Sequence, residues 1–194
     1  MSEPLNEIDI NSQLSEILTQ VQSLNHRVAD LEEKIKLLSD VDRYGKLQEL
    51  LMSGQFKEAD EETTRIILET VNKTRDNLKP DDMSKFPCST LRVIDRLWRD
   101  YSQDRFGFSR QLGIYLEVGG NIDTLRSQDA QMIQKYGDRV GWRKDGQWQG
   151  DNYDNWDFSV SAPIGCFPAR WWKSPYGLKM VNYCFTRLIS CNLS

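Results

Sequence analysis

The feature that most constrains the fold is the segment from Phe86 to Ser109, in which a helical pattern gives way to a glycine turn. Apolar side chains recur there at spacings of three and four residues, which places them on one face of a helix: Leu91, Ile94, Leu97, Trp98 and Tyr101. Ser89 and Thr90 offer hydroxyls that can cap its N-terminus. Phe106-Gly107-Phe108 then places two rings around a residue that permits a tight turn. The pattern predicts a core helix followed by a turn with two buried rings.

A heptad repeat over residues 14–38 predicts a second kind of helix. Apolar residues fill its a and d positions without a break: Leu14, Ile17, Val21, Leu24, Val28, Leu31, Ile35 and Leu38. Mostly β-branched a positions and leucine-rich d positions favour a parallel two-stranded coil, and Arg27 and Glu32 place opposite charges across that seam. We therefore predict a coiled-coil helix at 1–39 that forms a homodimer through residues 14–38. The alternative is that this helix packs on its own domain.

The patterned segments of the rest of the chain are helical as well. Apolar residues recur at helical spacing, with few alternating runs, in 40–52, 57–72, 110–119, 127–136 and the end of 170–194. The acidic residues Glu58, Asp60, Glu61 and Glu62 are typical of the first turn of a helix, where they complement its dipole. The fold class predicted is all-α, with a helical domain over residues 40–194.

Residues 142–172 hold five of the six tryptophans and show no helical or strand period, so we predict a long loop. Aromatic faces with scattered arginines suit a flat apolar ligand with acidic substituents, because rings cover its faces and guanidinium groups pair its carboxylates. The alternative is that the rings fill a local core. The predicted binding residues are Arg105, Phe106, Phe108, Arg139, Trp142, Arg143, Trp148, Tyr153, Trp156, Phe167 and Arg170.

Composition excludes several classes of function. His26 is the only histidine, so a histidine-dependent triad is excluded within one chain, and no nucleophile elbow or phosphate-binding loop is present. No cysteine pair has metal-ligand spacing, and reduced thiols are expected. The net charge of −4 argues against nucleic-acid binding, and no apolar run is long enough for a transmembrane segment. The acidic N-terminus argues against a secretory or transit signal. We expect a binding protein without catalytic residues or a metal site.

The amino-acid sequence from Phe86 to Ser109 closely resembles the signature of the genomes-uncoupled-four family. The matching positions are Cys88, Leu91, Ile94-Asp95, Leu97-Trp98, Tyr101-Ser102 and Arg105 to Ser109. Further matches are Glu58-Ala59-Asp60 with its threonine-rich continuation and the Val140-Gly141-Trp142 signature. The resemblance covers about Leu47 to Pro168 and leaves the heptad repeat outside.

That family consists of porphyrin-binding activators of magnesium chelatase. The resemblance implies a cleft in a helical domain that holds protoporphyrin IX or Mg-protoporphyrin IX. It also implies partnership with the large, porphyrin-binding subunit of magnesium chelatase. The expected location is the cytoplasm of a photosynthetic bacterium or the plastid stroma.

The chain departs from the family pattern between Pro163 and Pro168. The family shows Gly-His-Leu-Pro where this chain has Gly-Cys-Phe-Pro, with Cys166 in the place of the histidine. This change and the coiled coil keep an alternative open, namely a bilin- or haem-binding sensor or an interaction module on the same fold. Cys166 is then either a small packing residue or a nucleophile that forms a thioether with a bilin.

Overall fold

The computed structural model describes residues 7–193, apart from the side chains of 7–11, 33–40, 42 and 151. Its contacts divide the chain into two units between Arg43 and Tyr44, whereas the predicted domain boundary follows residue 39. Helix α1 runs continuously over Glu7–Met52, so the two helices predicted on either side of Asp40 are one. No proline lies within this range and Gly45 is its single glycine, so the sequence carries no strong stop signal at Asp40.

The described residues of the first unit are helical, and the apolar seam from Leu14 to Leu31 faces solvent. The six seam side chains from Leu14 to Leu31 are each between 46% and 55% exposed. Ile35 and Leu38, which continue the predicted seam, have side chains outside the described residues. Within one chain the seam is therefore uncovered over residues 14–31, and the homodimer remains a prediction.

The regular elements of the second unit are almost all helices, which confirms the predicted fold class. Its further helices are α2 Phe56–Thr70, α3 Pro80–Ser84, α4 Cys88–Tyr101, α5 Phe108–Glu117, α6 Ile122–Arg126, α7 Ala130–Arg139 and α8 Lys179–Ser190. Short 3-10 helices cover Arg75–Asn77, Gly150–Asn155 and Arg170–Trp172, and the strands β1 Arg143–Lys144 and β2 Gln147–Trp148 form one antiparallel ribbon. No helix among the described residues combines the length and the apolar character needed to cross a membrane.

The predicted start of α4 is wrong. This helix begins at Cys88, with Pro87 at the N-cap position and no side-chain cap, so Ser89 and Thr90 lie inside its first turn. The helix predicted at the end of 170–194 is α8, which begins at Lys179. A 3-10 turn and Ser174-Pro175-Tyr176-Gly177 precede it, and proline and glycine disfavour an earlier start.

The core of the second unit forms around α4, and the two rings of the glycine turn belong to it. Phe106 packs against Trp98 and Phe56, with ring centroids 6.2 and 5.5 Å away, and both Phe106 and Phe108 are fully buried. Gly107 has φ +128°, and a Cβ there would lie 2.9 Å from a carboxylate oxygen of Asp95. The prediction of two buried rings after the helix is thus confirmed, and the turn requires glycine for both conformation and space.

The expectation that all four cysteines are reduced is wrong. Cys88 at the start of α4 and Cys191 just after α8 form a disulfide, with Cα atoms 5.5 Å apart and 103 residues between them in sequence. Cys166 and Cys184 are free and buried. Spacing along the chain does not show a pair that only the packing of two helix ends brings together.

Candidate functional site

The segment that follows α7 turns back on that helix through the ribbon of β1 and β2. Asp145 and Gly146 both have positive φ, +50° and +78°, as a two-residue hairpin turn requires. The turn pairs Arg143 with Trp148 across the ribbon. The indole of Trp148 lies against Gly137 of α7, where an added Cβ would be 2.5 Å from the ring. The close fit of this indole against α7 fixes where the long loop begins.

A buried carboxylate on α2 holds the later part of the loop. The hydroxyl of Tyr153 donates to Asp60 Oδ2 at 2.8 Å, and the backbone amides of Ala169 and Arg170 donate to the same carboxylate at 2.8 and 3.0 Å. Asp60 is fully buried, and this burial raises the pKa of its carboxyl to about 6 despite the hydrogen bonds. Of the acidic residues predicted for the first turn of α2, only Glu58 lies in that turn, and Asp60 makes tertiary contacts instead.

Two adjoining pockets that share Pro163 form the candidate binding site, which we name the Pro163 cleft. The first has a volume of about 260 Å³ and is lined by Arg110, Ile114, Glu117, Arg139, Pro163 and Ile164. The second has a volume of about 190 Å³ and is lined by Gly141, Lys144, Gln149, Asn152, Asn155, Trp156, Asp157, Pro163 and Cys166. Helices α5 and α7 supply one side of the cleft, and the long loop supplies the other.

The cleft combines apolar surface with cationic groups. Arg110 and Arg139 have no ion pair and no side-chain hydrogen bond within the described part of the chain, and Nε of Arg110 is buried without a partner. Ile164, which is 38% exposed, lies beside them. A buried guanidinium nitrogen without a partner is costly, so the arrangement favours an acceptor such as a carboxylate.

Two of the predicted binding residues, Arg139 and Trp156, line the Pro163 cleft. Most of the predicted rings instead lie inside the protein. Those of Phe106, Phe108, Trp142 and Phe167 are fully buried, and Tyr153 is 6% exposed. Trp148 is half-buried between Gly137 and Trp172. Direct ligand contact by these rings remains a prediction, since in this structure they support the loop from within.

The glycine turn and the long loop meet through buried rings, since the centroids of Phe106 and Phe167 are 5.2 Å apart in an edge-to-face contact. Within the loop, Trp142 donates its indole N–H to the carbonyl of Cys166 at 2.6 Å. Ring pairs of this kind stabilise a core when they exclude water. The alternative interpretation from the sequence, that the rings fill a local core, describes these residues.

The other predicted arginines have partners within the protein. Arg105 donates to the carbonyl of Ala162 at 2.9 Å. Arg143 lies 3.0 Å from a carboxylate oxygen of Asp138. The guanidinium of Arg170 is 3.4 Å from Glu61 and lies over the ring of Tyr153, 4.8 Å from its centroid. These contacts hold the loop, so these three arginines are less available to a ligand than Arg139.

Sequence reasoning missed Arg110, Ile114 and Glu117, although a signal was present. They occur at i, i+4 and i+7 along α5, so they share one face of the helix directly after the glycine turn. Asp145-Gly146 is likewise a strong hairpin signal within the segment predicted as an unpatterned loop.

Cys166 lies in the second pocket but is only 3% exposed, and burial raises the pKa of its thiol well above the usual value. A thiol that resists ionisation is a poor nucleophile. This favours the packing interpretation of Cys166 over the thioether. Among the described residues, no group of three histidine, cysteine, aspartate or glutamate side chains is arranged as metal ligands would be.

A helical domain with a partly apolar cleft, in which two guanidinium groups have no partner among the described residues, has the features of a protein that binds an anion with an apolar surface. The chain belongs to the GUN4-like family, whose sequence model matches residues 38–180.

Its relatives include the Ycf53-like protein of Synechocystis, 31% identical over 129 residues, which are 64% of this chain and 50% of the relative. The tetrapyrrole-binding protein, chloroplastic, of Arabidopsis thaliana is 32% identical over 98 residues, which are 45% of this chain and 37% of that protein. This chain therefore matches half or less of the length of these relatives.

Two solved structures share the fold. The ligand-free structure of Arabidopsis thaliana GUN4 matches with a TM-score of 0.56 and 22% identity, over 74% of this chain and 94% of that chain. The structure of GUN4 from Chlamydomonas reinhardtii matches with a TM-score of 0.55 and 20% identity, over 74% of this chain and 86% of that chain. At these identities the likeness concerns the fold.

Proposed function

We propose that this protein binds a tetrapyrrole in the Pro163 cleft and acts as a regulator that has no catalytic activity of its own. The observation that carries the proposal is that Arg110 and Arg139, which have no partner in the described part of the chain, lie beside the apolar side chains of Ile114 and Ile164. Membership of the GUN4-like family and the name of the Arabidopsis relative support the same ligand class.

The chemistry of a porphyrin suits this cleft. Each of the two pockets is smaller than the roughly 300–1,000 Å³ usual for a ligand site. A macrocycle would therefore lie across both pockets, over Pro163, with one edge in solvent. Its apolar face would cover Ile164 and Trp156, and its propionates would pair with Arg110 and Arg139 near water, which limits the cost of desolvating these charges.

We propose protoporphyrin IX and Mg-protoporphyrin IX as the ligands, since both carry the two propionates that the arginines would bind. The proposed partner is the large, porphyrin-binding subunit of magnesium chelatase, whose activity this protein would stimulate in chlorophyll biosynthesis. Cyanobacterial and chloroplastic relatives support the cytoplasm of a photosynthetic bacterium or the plastid stroma as its location.

The test is a titration of the full-length protein with protoporphyrin IX and with its dimethyl ester, followed by tryptophan quenching. Arg110→Ala and Arg139→Ala should each weaken binding of the acid about three- to tenfold and hardly change binding of the ester, because only the acid has carboxylates to pair. Arg96→Ala is the matched control, because Arg96 is exposed on α4 and pairs with Asp100 at 3.4 Å.

Three outcomes would count against the proposal. Equal losses for acid and ester would mean that the arginines only pack. An unchanged affinity in both arginine variants would exclude the Pro163 cleft as the site. Tighter binding of a bilin or haem than of either porphyrin, without stimulation of magnesium chelatase, would favour a sensor on the same fold.

We also propose that two copies associate through residues 14–38 as a parallel coiled coil. The half-exposed seam from Leu14 to Leu31 supports this, because a second helix that covers a continuous apolar stripe removes it from water and so stabilises the pair of helices. Residues 14–38 lie almost wholly before the stretch that the family model matches.

A further inference from the structure

We infer that Asp60 is a positioning residue that closes the base of the long loop and thereby shapes the wall of the Pro163 cleft. The inference deepens the proposed function, on which it rests for the identity of the ligand. The anchoring itself concerns contacts within this chain and can be measured without a ligand.

One carboxylate contacts both ends of the stretch 154–168, which lies within the long loop. Tyr153 lies just before the stretch 154–168, and Ala169 and Arg170 lie just after it, yet all three donate to Asp60. That stretch carries Trp156, Pro163 and Ile164, which line the cleft. A movement of either end away from α2 would therefore change the cleft wall directly.

The donors depend on this acceptor. The amides of Ala169 and Arg170 make no hydrogen bond to a backbone carbonyl among the described residues, and the hydroxyl of Tyr153 has Asp60 as its side-chain partner. A buried donor without an acceptor costs on the order of 1–3 kcal/mol. Loss of the carboxylate would leave three such donors and would favour release of the loop ends into water.

The charged and titratable groups around Asp60 decide how its hold on the loop responds to pH. The charges that act on Asp60 from neighbouring elements are those of Arg170 and Arg75, and the neighbouring titratable groups are the hydroxyl of Tyr153, the carboxylate of Glu61 and the thiol of Cys166. No cationic side chain of the described residues hydrogen-bonds to the Asp60 carboxylate. Desolvation therefore outweighs these interactions and raises the pKa of the Asp60 carboxyl.

The direction of the pH dependence follows from the linkage between proton binding at Asp60 and opening of the loop. The pKa of Asp60 is about 6 in the anchored state and returns toward 3.8 when the loop opens and the carboxylate regains water. The anchored state therefore holds the proton more tightly, and the anchor weakens as pH rises through about 6. Between pH 5 and pH 7, the opening equilibrium of the loop should increase about tenfold.

Hydrogen–deuterium exchange of the full-length protein tests the anchor, with protection factors corrected for intrinsic rates. Asp60→Ala should lower protection of residues 150–172 at least tenfold and leave residues 109–112 unchanged, since the amide of Ser109 donates to Asp95 rather than to the loop. Asp95→Asn is the matched control: Asp95 is also a buried carboxylate, but it accepts from the amide and hydroxyl of Ser109. Asp95→Asn should lower protection of the residues around Ser109 and leave that of residues 150–172 unchanged.

Asp60→Asn keeps the shape of the side chain and removes its titration. Protection of 150–172 should fall about tenfold from pH 5 to pH 7 in the natural protein and stay flat in Asp60→Asn. Unchanged protection of 150–172 in Asp60→Ala, or the natural pH profile in Asp60→Asn, would overturn the inference. If Asp60→Ala fails to fold, the pH profile of protection in Asp60→Asn still tests the inference.

Porphyrin affinity then separates the anchor from the proposed function. Asp60→Ala should weaken binding of protoporphyrin IX and of its dimethyl ester to a similar degree, about tenfold, because both would contact the displaced wall. If the natural protein binds neither compound, the proposed function fails, whereas the exchange data still show whether Asp60 holds the loop.

Discussion

Replacement of Gly137 by alanine should destabilise this protein, although alanine is the better helix former. Gly137 lies in α7, and the indole of Trp148 covers it so closely that a Cβ would be 2.5 Å from two ring atoms. Real Cβ atoms do not approach a ring this closely, so the indole has to move. Behind it lies the buried ring of Trp172, with centroids 6.1 Å apart, which limits that movement.

The magnitude is the difference between two opposing effects. Alanine in a helix is favoured over glycine by about 0.5–1 kcal/mol. Overpacking of a filled site costs about 1–3 kcal/mol. The steric cost is larger over most of these ranges, so Gly137→Ala should lower the free energy of unfolding by up to about 2.5 kcal/mol. Gly113 in α5 has no atom within 4 Å of its added Cβ, and Gly113→Ala should instead raise the free energy of unfolding by about 0.5–1 kcal/mol.

The assay is urea unfolding of the two variants and the natural protein, followed by far-ultraviolet circular dichroism at one protein concentration. The two substitutions are chemically identical, so their difference isolates the contact with Trp148. A Gly137→Ala variant at least as stable as Gly113→Ala would refute the reasoning, because it would show that the indole leaves this position without cost. Tryptophan fluorescence should also shift to longer wavelength in Gly137→Ala only, as the indole becomes more exposed.

Two further predictions concern other parts of the chain. Deletion of residues 1–39 should convert a dimer into a monomer in sedimentation analysis, since the half-exposed seam lies within that segment; a monomeric full-length protein at micromolar concentration would contradict it. Reduction of the Cys88–Cys191 disulfide should lower the free energy of unfolding by about 2–4 kcal/mol, because the bond closes a loop with a sequence separation of 103. Cys88→Ser should reproduce the loss without reductant, and equal stability of the oxidised and reduced protein would argue against a closed disulfide in solution.

Much of the fold could be predicted because its signals are local. The face of α4, the buried rings of the glycine turn and the helical class follow from spacings of three and four residues and from the two residues around Gly107. The seam of residues 14–31 was likewise visible in the heptads. These properties depend on which side chains share a face, which the helical period determines.

The candidate site could be predicted only in part. The sequence pointed to the loop that lines the Pro163 cleft and to Arg139 and Trp156, but it also gave binding roles to rings that the structure buries. An aromatic residue in a loop gives the same sequence signal whether its ring faces a ligand or the core. Arg110 was detectable from its spacing to Ile114, yet only the packing of α5 beside α7 and Pro163 shows that it lines a cleft.

The sequence by itself determined the helices, the position of the glycine turn and the family resemblance, because each depends on residues within a few turns of one another. Only the tertiary structure decided the partners of Asp60, the pairing of Cys88 with Cys191 and the exposure of each aromatic ring. Asp60 and Tyr153 are 93 residues apart, and a hydrogen bond over that separation forms only when the intervening chain has folded. Burial has the same origin, because a side chain loses its water to residues that are distant in sequence.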